Sequence, residues 1–374
     1  MRIGIDARGI RREPDGIGRY TAQLLRAAVA AFPDAELVVW CLPSAIDSLP
    51  RLPGIRPIPL NRHHLSRYTI RRFGKQVDAE NLDLFHSPFF LVPLKCRCPV
   101  IVTVHDLMAL ELPDFFADSP ALLAWYKRSF HRKHVPRCLK AADRVAVVSR
   151  WVAEQVQGLG IAKDNIRLLP DAIDPRFTNR STGSDHDRLK SLGLEPGFFL
   201  HVGRWKHYKD LPLLLEAYQH YLARTARQPA RLVLIRGGGS DPRVEMALDR
   251  LQLRSHVHVL DRLPDRYLPS IYRSALALVQ PSTCEGFGLP VVEAMACGTP
   301  VLCSTGGALP EVVGDSGLVL DGDSTDEWSA ALERLARDSD LRARLTSEGL
   351  EHSARFRLEN MTHQLAGIYR ELGV

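Results

Sequence analysis

The stretch "ALALVQPSTCEGFGLPVVEAMACGTPVLCS", residues 275–304, sets the reading of the whole chain. It opens with an apolar run, residues 275–280, that ends at Pro281, and a loop from Thr283 to Gly288 follows. Leu289 and Pro290 then start a short helix, because proline suits the first helical turn, where its missing N–H costs nothing. Gly298 stops that helix, and "PVLCS" (300–304) is a second apolar run. A strand, a loop, a helix and a strand in this order, with both strands apolar on either face, describe a parallel sheet covered by helices.

The same alternation extends outward in both directions. In the first half "RIGID" (2–6), "ELVVWCL" (36–42), "LDLFHS" (82–87), "PVIVTVHD" (99–106), "RVAVVS" (144–149) and "IRLLP" (166–170) read as strands. In the second half "FFLHVG" (198–203), "RLVLIRG" (231–237), "HVHVL" (256–260) and "GLVLD" (317–321) join residues 275–280 and 300–304. Between them lie amphipathic stretches such as residues 18–32 and 211–227, in which Leu214, Leu215, Tyr218, Tyr221 and Leu222 recur at helical spacing. Regular alternation of this kind predicts a doubly wound α/β architecture. The polar segment "NRSTGSDHD" (179–187) reads as a linker, giving domains 1–180 and 181–355, and residues 357–372 form one more amphipathic helix. Two such sheets joined by a hinge place a ligand between them, at the carboxyl ends of the strands.

With 374 residues, 45% hydrophobic and 25% charged, the chain is long enough for two well-formed cores. It contains no apolar run of membrane-spanning length. The first residues, "MRIGIDARGIRREPDG", lack the apolar centre of a signal peptide and read as a strand. Seven irregularly spaced cysteines, with Cys96 and Cys98 too close together for a metal knuckle and no second pair, predict reduced thiols and a cytoplasmic protein. The net charge of +6 divides unevenly, with about +9 on residues 1–190 and about −3 on 191–374. Two clusters, residues 61–75 and 125–140, mix Arg, Lys and His with Tyr, Phe and Trp, which suits an anionic surface as well as an ordinary solvated helix face. No nucleic-acid-binding signature accompanies them.

The chemistry concentrates around residue 285. The backbone amides of Gly286, Phe287, Gly288 and Leu289 stand at a helix N-terminus, where unpartnered N–H groups and the helix dipole favour an anion such as a phosphate. Glu285 precedes that turn and Glu293 lies one turn into the helix. Carboxylates beside a phosphate site accept hydrogen bonds from neutral hydroxyls, so the pair fits a sugar–phosphate–ribose ligand. Two ordinary helix-boundary glutamates satisfy the same spacing.

The residues 281–301 resemble the Glu-x7-Glu signature of glycosyltransferase family four, retaining enzymes of the GT-B fold that use nucleotide-sugar donors. Further segments are similar to the family in the same order: residues 201–218 with Arg204 and Lys209 at Arg-x4-Lys spacing, residues 306–321, residues 100–107 with His105 and Asp106, and the Gly-rich N-terminal loop with Gly16 and Gly18. The resemblance implies two Rossmann-like domains facing across a cleft, with residues 356–374 as a helix crossing back to the first. It implies that Arg204 and Lys209 neutralise the donor diphosphate without a metal or other cofactor, with Gly286, Phe287, Gly288 and Leu289 beside it. Glu293 would bind ribose and Glu285 the donor sugar, with His105 near that sugar, while Gly16 and Gly18 would form a flexible loop near the diphosphate and acceptor. A nucleotide-sugar donor and a glycan or lipid-linked glycan acceptor are the implied partners.

The opening "IDAR…GIGRYT" is most similar to members that assemble mannose- or rhamnose-containing bacterial surface polysaccharide, which favours GDP-mannose or a related GDP-hexose. The basic, aromatic first half then becomes a peripheral surface for the cytoplasmic face of the inner membrane. A UDP-sugar donor is the alternative, and a sugar-nucleotide epimerase of the same fold or a non-catalytic scaffold are more distant ones. A nicotinamide-dependent oxidoreductase needs Gly-x-Gly-x-x-Gly directly after a strand, and neither "RIGIDARGIRREPDGIGRY" nor "LIRGGGSDP" has it. Three positions in two segments depart from the family pattern: Asp171-Ala172 replaces Asn-Gly, and Leu358 replaces an aromatic residue.

Overall fold

The computed structural model describes residues 1–12, 15–181, 183–225, 228–261 and 263–374. Glu13 and Pro14 of the Gly-rich segment, Thr182 of the expected linker, and Ala226 and Arg227 of the expected helix 211–227 lie outside the described residues. The chain forms two compact units, Met1–Asp174 with Phe356–Val374, and Pro175–Arg355.

The first unit is built on seven strands: β1 (Arg2–Asp6), β2 (Glu36–Cys41), β3 (Ile55–Pro59), β4 (Leu84–Ser87), β5 (Val100–Val104), β6 (Arg144–Val147) and β7 (Ile166–Leu168). Their order is β3-β2-β1-β4-β5-β6-β7, parallel throughout. Strand β3, "IRPIP", escapes sequence reading because two prolines remove ladder donors; it is tolerated because it is an edge strand. The second unit has β8 (Phe198–Trp205), β9 (Leu232–Gly239), β10 (Val257–Asp261), β11 (Ala275–Gln280), β12 (Val301–Ser304) and β13 (Leu318–Leu320). These run parallel in the order β10-β9-β8-β11-β12-β13. Both sheets are Rossmann-like, and the strand order reverses between β1 and β4 and between β8 and β11. Ligands bind such sheets at the carboxyl ends of the strands at the reversal.

Helix Leu211–Arg224 shows why the second sheet is covered. Leu211, Leu214, Leu215, Tyr218 and Tyr221 fall on one face and are almost fully buried against Phe199, Leu232 and Trp328 of the same core. Each such side chain contributes about 1.5–3 kcal/mol of burial.

Three expectations need correction. The boundary falls at Asp174–Pro175 rather than 180–181, because residues 175–181 are tied to the second unit: Phe177 packs edge-on against Tyr272, and Arg273 donates to the Thr178 carbonyl at 2.8 Å. The segment 179–187 is not a free linker throughout. Asp185 opens helix Asp185–Ser191, and its carboxylate holds Arg273 at 2.6 Å and Ser270 at 2.7 Å. Gly16 and Gly18 do not form a loop either. Gly16 opens helix Gly16–Ala31, and the Asp15 carboxylate caps it by accepting from the Gly18 amide at 3.0 Å. The last helix, Leu358–Arg370, packs on helix Gly16–Ala31 within the first unit, with Tyr369 stacked on Phe32 at 5.7 Å.

Candidate active site

In the second unit the loops after β8 and β11 meet at the reversal point. After Trp205 the chain makes a turn, His207–Lys209, and Asp210 takes a left-handed conformation (φ 43°) before the next helix begins. The Thr283 amide, in the loop after β11, donates to the Tyr208 carbonyl at 2.7 Å and ties the two loops together. This brings the Lys209 ammonium into direct contact with Glu285 Oε1. Both side chains are buried, with residue exposures of 6% and 7%. Gln280 Nε2 and Ser282 Oγ also donate to Oε1, each at 2.7 Å.

Burial alone would raise the Glu285 pKa. The Lys209 charge and the hydrogen bonds from Lys209, Ser282 and Gln280 overcome it, and the net shift is downward. Glu285 is therefore a fixed carboxylate. All three donors converge on Oε1, and Oε2 accepts no hydrogen bond among the described residues. Lys209 likewise gives one of its three N–H donors to Glu285 and has no other protein acceptor among the described residues. The pair thus keeps an acceptor for a hydroxyl and donors for an anion.

The walls of the site are glycine where space demands it. A Cβ on Gly306 would lie 1.9 Å from the Ser282 carbonyl, and one on Gly307 (φ 68°) 2.3 Å from that of Glu285. The Ala308 amide donates to the same Glu285 carbonyl at 2.8 Å, so the turn after β12 holds the Glu285 loop from behind. His201, fully buried on β8, donates from Nδ1 to the Val279 carbonyl at 3.0 Å, and its Nε2 has no partner among the described residues. Burial, reinforced by the Lys209 charge, pushes its pKa down to about 4. Arg204 is exposed and unpaired among the described residues, beside an irregularity in the β8–β9 register between Gly203 and Trp205.

Helix Leu289–Ala296 starts from Gly288 (φ 104°) without a side-chain cap, and Phe287 packs inward. Glu293, only 2% exposed, accepts from the Tyr272 hydroxyl at 3.0 Å. Its carboxylate is thus held by Tyr272, while Glu285 belongs to the Lys209 cluster.

In the first unit, taken by itself, His105 stands just past the end of β5. Its Nε2 donates to the Pro88 carbonyl at 3.1 Å, which leaves Nδ1 unprotonated and 3.8 Å from Asp171 Oδ1. Burial holds this ring down to about 4. Past the end of β1, the Arg8 guanidinium turns back onto Asp6 as a buried fork, with contacts of 2.6 and 2.8 Å. Among the described residues no group of three or more His, Cys, Asp and Glu side chains is placed to hold a metal ion.

Residues 14–177 match the family described as Glycosyltransferase Family 4, and residues 186–352 the one described as Glycosyl transferases group 1. A D-inositol 3-phosphate glycosyltransferase of Acidothermus cellulolyticus is 32% identical over 95% of this chain and 85% of its own length. The chain belongs to the group 1 and family 4 glycosyltransferases. The O-antigen chain mannosyltransferase B of Escherichia coli matches this glycosyltransferase over the full length of both chains at 28% identity. Among solved structures, sucrose-phosphate synthase of Thermosynechococcus elongatus superposes with a TM-score of 0.76 at 23% identity, covering 100% of this chain and 99% of that one. That likeness is one of fold, the GT-B pairing of two Rossmann-like units.

Of the site residues expected for this glycosyltransferase, Lys209 and Glu285 are in contact, Arg204 stands near the end of β8, Gly286–Gly288 form the loop after Glu285, and Leu289 and Glu293 belong to the helix that follows. Gly16, Gly18 and His105 belong to the first unit. Sequence reading overlooked Gln280 and Ser282. Their signal was available, since a polar residue that closes a buried apolar strand needs a partner nearby.

Proposed function

We propose that this glycosyltransferase transfers a hexose, with mannose from GDP-mannose or a related GDP-hexose favoured, onto a glycan or lipid-linked glycan acceptor with retention of configuration. The observation that carries the donor and acceptor is the end-to-end match to an O-antigen chain mannosyltransferase. In this reading Arg204 and the two remaining N–H groups of Lys209 meet the diphosphate, together with the helix N-terminus at Gly286–Leu289. They stabilise charge on the leaving oxygen through fixed protein donors, with no metal required. Oε2 of Glu285 accepts from a donor-sugar hydroxyl, Glu293 approaches the ribose, and His105 borders the sugar. The departing phosphate oxygen takes the acceptor proton on the same face, which retains configuration without a protein nucleophile.

A UDP-sugar donor is the second reading. The D-inositol 3-phosphate glycosyltransferase relatives, at 32% identity, favour a different acceptor.

The acceptor reading extends to a membrane surface. At the start of helix Ala121–Ala141, Leu122, Leu123, Trp125 and Tyr126 are exposed, Leu122 by 79% and Trp125 by 66%. Lys127, Arg128, Arg132 and Lys133 follow on the same helix, and Arg67 of the other basic cluster lies 5.8 Å over the Tyr126 ring. Exposed apolar side chains beside cations fit an anionic leaflet at the cytoplasmic face. No helix among the described residues is long and apolar enough to cross a membrane.

Thermal-shift titration with GDP, UDP and their hexoses tests the donor, because a ligand selective for the native state raises the midpoint. Stabilisation by GDP-mannose together with mannosyl transfer to a polyprenyl-linked glycan is expected; stabilisation by UDP-sugars alone would overturn the guanine assignment. Cosedimentation with phosphatidylglycerol vesicles tests the surface, and unchanged binding after charge reversal at Arg132 and Lys133 would exclude it.

A further inference from the structure

A second polar cluster lies buried in the first unit. His86 Nδ1 is 2.8 Å from the Tyr369 hydroxyl, and His86 Nε2 is 2.8 Å from Thr103 Oγ1. Thr103 Oγ1 in turn is 3.0 Å from the Tyr20 hydroxyl. Four elements contribute one residue each: helix Leu358–Arg370, β4, β5 and helix Gly16–Ala31. None of the four residues is more than 1% exposed. At its end the Tyr20 ring meets the His105 ring edge-on, with centroids 4.5 Å apart and an interplanar angle of 84°.

These groups are neutral. Burial pushes His86 down to about 3, and it raises both tyrosines above their ordinary range. A neutral imidazole, two phenols and one hydroxyl bring four protons to three hydrogen bonds. The imidazole carries one N–H, so His86 donates to one of its two neighbours and accepts from the other, and Thr103 Oγ1 joins it to the Tyr20 hydroxyl; removing the Tyr369 hydroxyl therefore changes the partners of every group along the chain. Among the described residues His105 makes one hydrogen bond, from Nε2 to the Pro88 carbonyl, and its Nδ1 lies 3.8 Å from Asp171 Oδ1. The Tyr20 ring packs edge-on against that imidazole, and the Tyr20 hydroxyl is in turn bonded to Thr103 Oγ1.

We propose that Tyr369 is a positioning residue for His105: acting through His86 and Thr103, it anchors Tyr20, and Tyr20 fixes the imidazole at the carboxyl end of β5. The proposal rests on the reading of His105 as part of the donor site. It gives the last helix a task beyond packing, since that helix supplies the group that orders a site residue some 260 positions earlier in the sequence.

Histidine ring 15N spectra and steady-state kinetics of the full-length protein test it. The wild type is expected to show His105 as one tautomer, protonated at Nε2. Tyr369→Phe should give averaged ring-nitrogen shifts for His105 and a roughly tenfold lower kcat for donor consumption. Tyr20→Phe should do the same, and the double variant should be no worse than the poorer single, because residues acting as one chain are not additive. Thr103→Ser, which keeps the hydroxyl, should retain the wild-type spectrum, and Thr103→Val should lose it. A His105 spectrum unchanged in both Tyr369→Phe and Thr103→Val would overturn the proposal, as would multiplicative kinetic losses in the double variant. If the wild type consumes no nucleotide sugar, the donor reading fails on its own, while the spectra still decide the role of Tyr369.

Discussion

Replacing Lys209 by methionine keeps most of the side-chain volume but leaves the Glu285 carboxylate buried beside Gln280 and Ser282 with no cation. Removing one partner of a buried pair costs about 3–5 kcal/mol, because the other charge stays desolvated. For a unit of this size about 1 kcal/mol moves the midpoint by roughly 2–4 °C, so Lys209→Met is expected to lower it by about 6–20 °C at pH 7. The loss should depend on pH, and its sign follows from burial. In the wild type the Glu285 pKa is depressed, so its contribution is present above the ordinary carboxylate range and is lost as pH falls through the depressed value. Without Lys209 the desolvation term dominates and the pKa is raised. The carboxyl then takes a proton as pH falls toward 5, and the deficit against wild type shrinks. Lys209→Met combined with Glu285→Gln removes both charges but keeps an acceptor for Ser282, and should recover most of the midpoint while remaining inactive. Calorimetry of the full chain from pH 5 to 8, with donor turnover in parallel, makes the measurement. A single-variant deficit that is the same at every pH, or a double variant no more stable than Lys209→Met, would refute the reasoning.

Arg204→Ala removes an exposed, unpaired cation, so the midpoint should move by less than about 0.5 kcal/mol equivalent, as for most surface substitutions, while the donor KM rises at least tenfold; an unchanged KM would remove Arg204 from the site. Gly307→Ala places a Cβ against the Glu285 carbonyl at a left-handed position, and should lower both stability and turnover, whereas Gly322→Ala, left-handed but with open space around it, should lower stability modestly and leave turnover intact. His86, His105 and His201 are all held neutral well below their ordinary value, at about 3, 4 and 4. The unfolded chain therefore binds more protons below pH 6.5, and stability should fall steadily from pH 6.5 toward 4, by as much as about 1.4 kcal/mol per pH unit for each histidine; a flat midpoint across that range would contradict the burial of these rings. Asp185, drawn down to about 2 by Arg273, adds a further loss confined to the range between about 4 and 2, which Asp185→Asn should abolish.

Much of this protein was legible in one dimension. The apolar runs mark twelve of the thirteen strands because strands of a covered parallel sheet are dominated by Val, Ile, Leu and Phe, with only isolated polar residues such as His86, Thr103 and His201 among them. The order of strands and helices fixes the doubly wound class, and Gly288 with Pro290 fixes where the short helix begins. Strand β3 was hidden by its prolines, and Gly16 and Gly18 were expected in a loop through the family resemblance, whereas the Asp15 cap places the helix start at Gly16. What the tertiary structure alone decided is which groups share a charge. Lys209 and Glu285 are 76 residues apart, and the spacing of each motif pointed to separate partners in a ligand. The parallel order β8-β11 brings their loops together, so in the free protein each is the other's counter-ion. Likewise no local pattern connects Tyr369 to His86, 283 positions away, because hydrogen-bond complementarity between distant residues leaves no periodicity in a sequence. Local propensity and apolar patterning are read along the chain, whereas ion pairs and polar networks are properties of the sheet order that folds it.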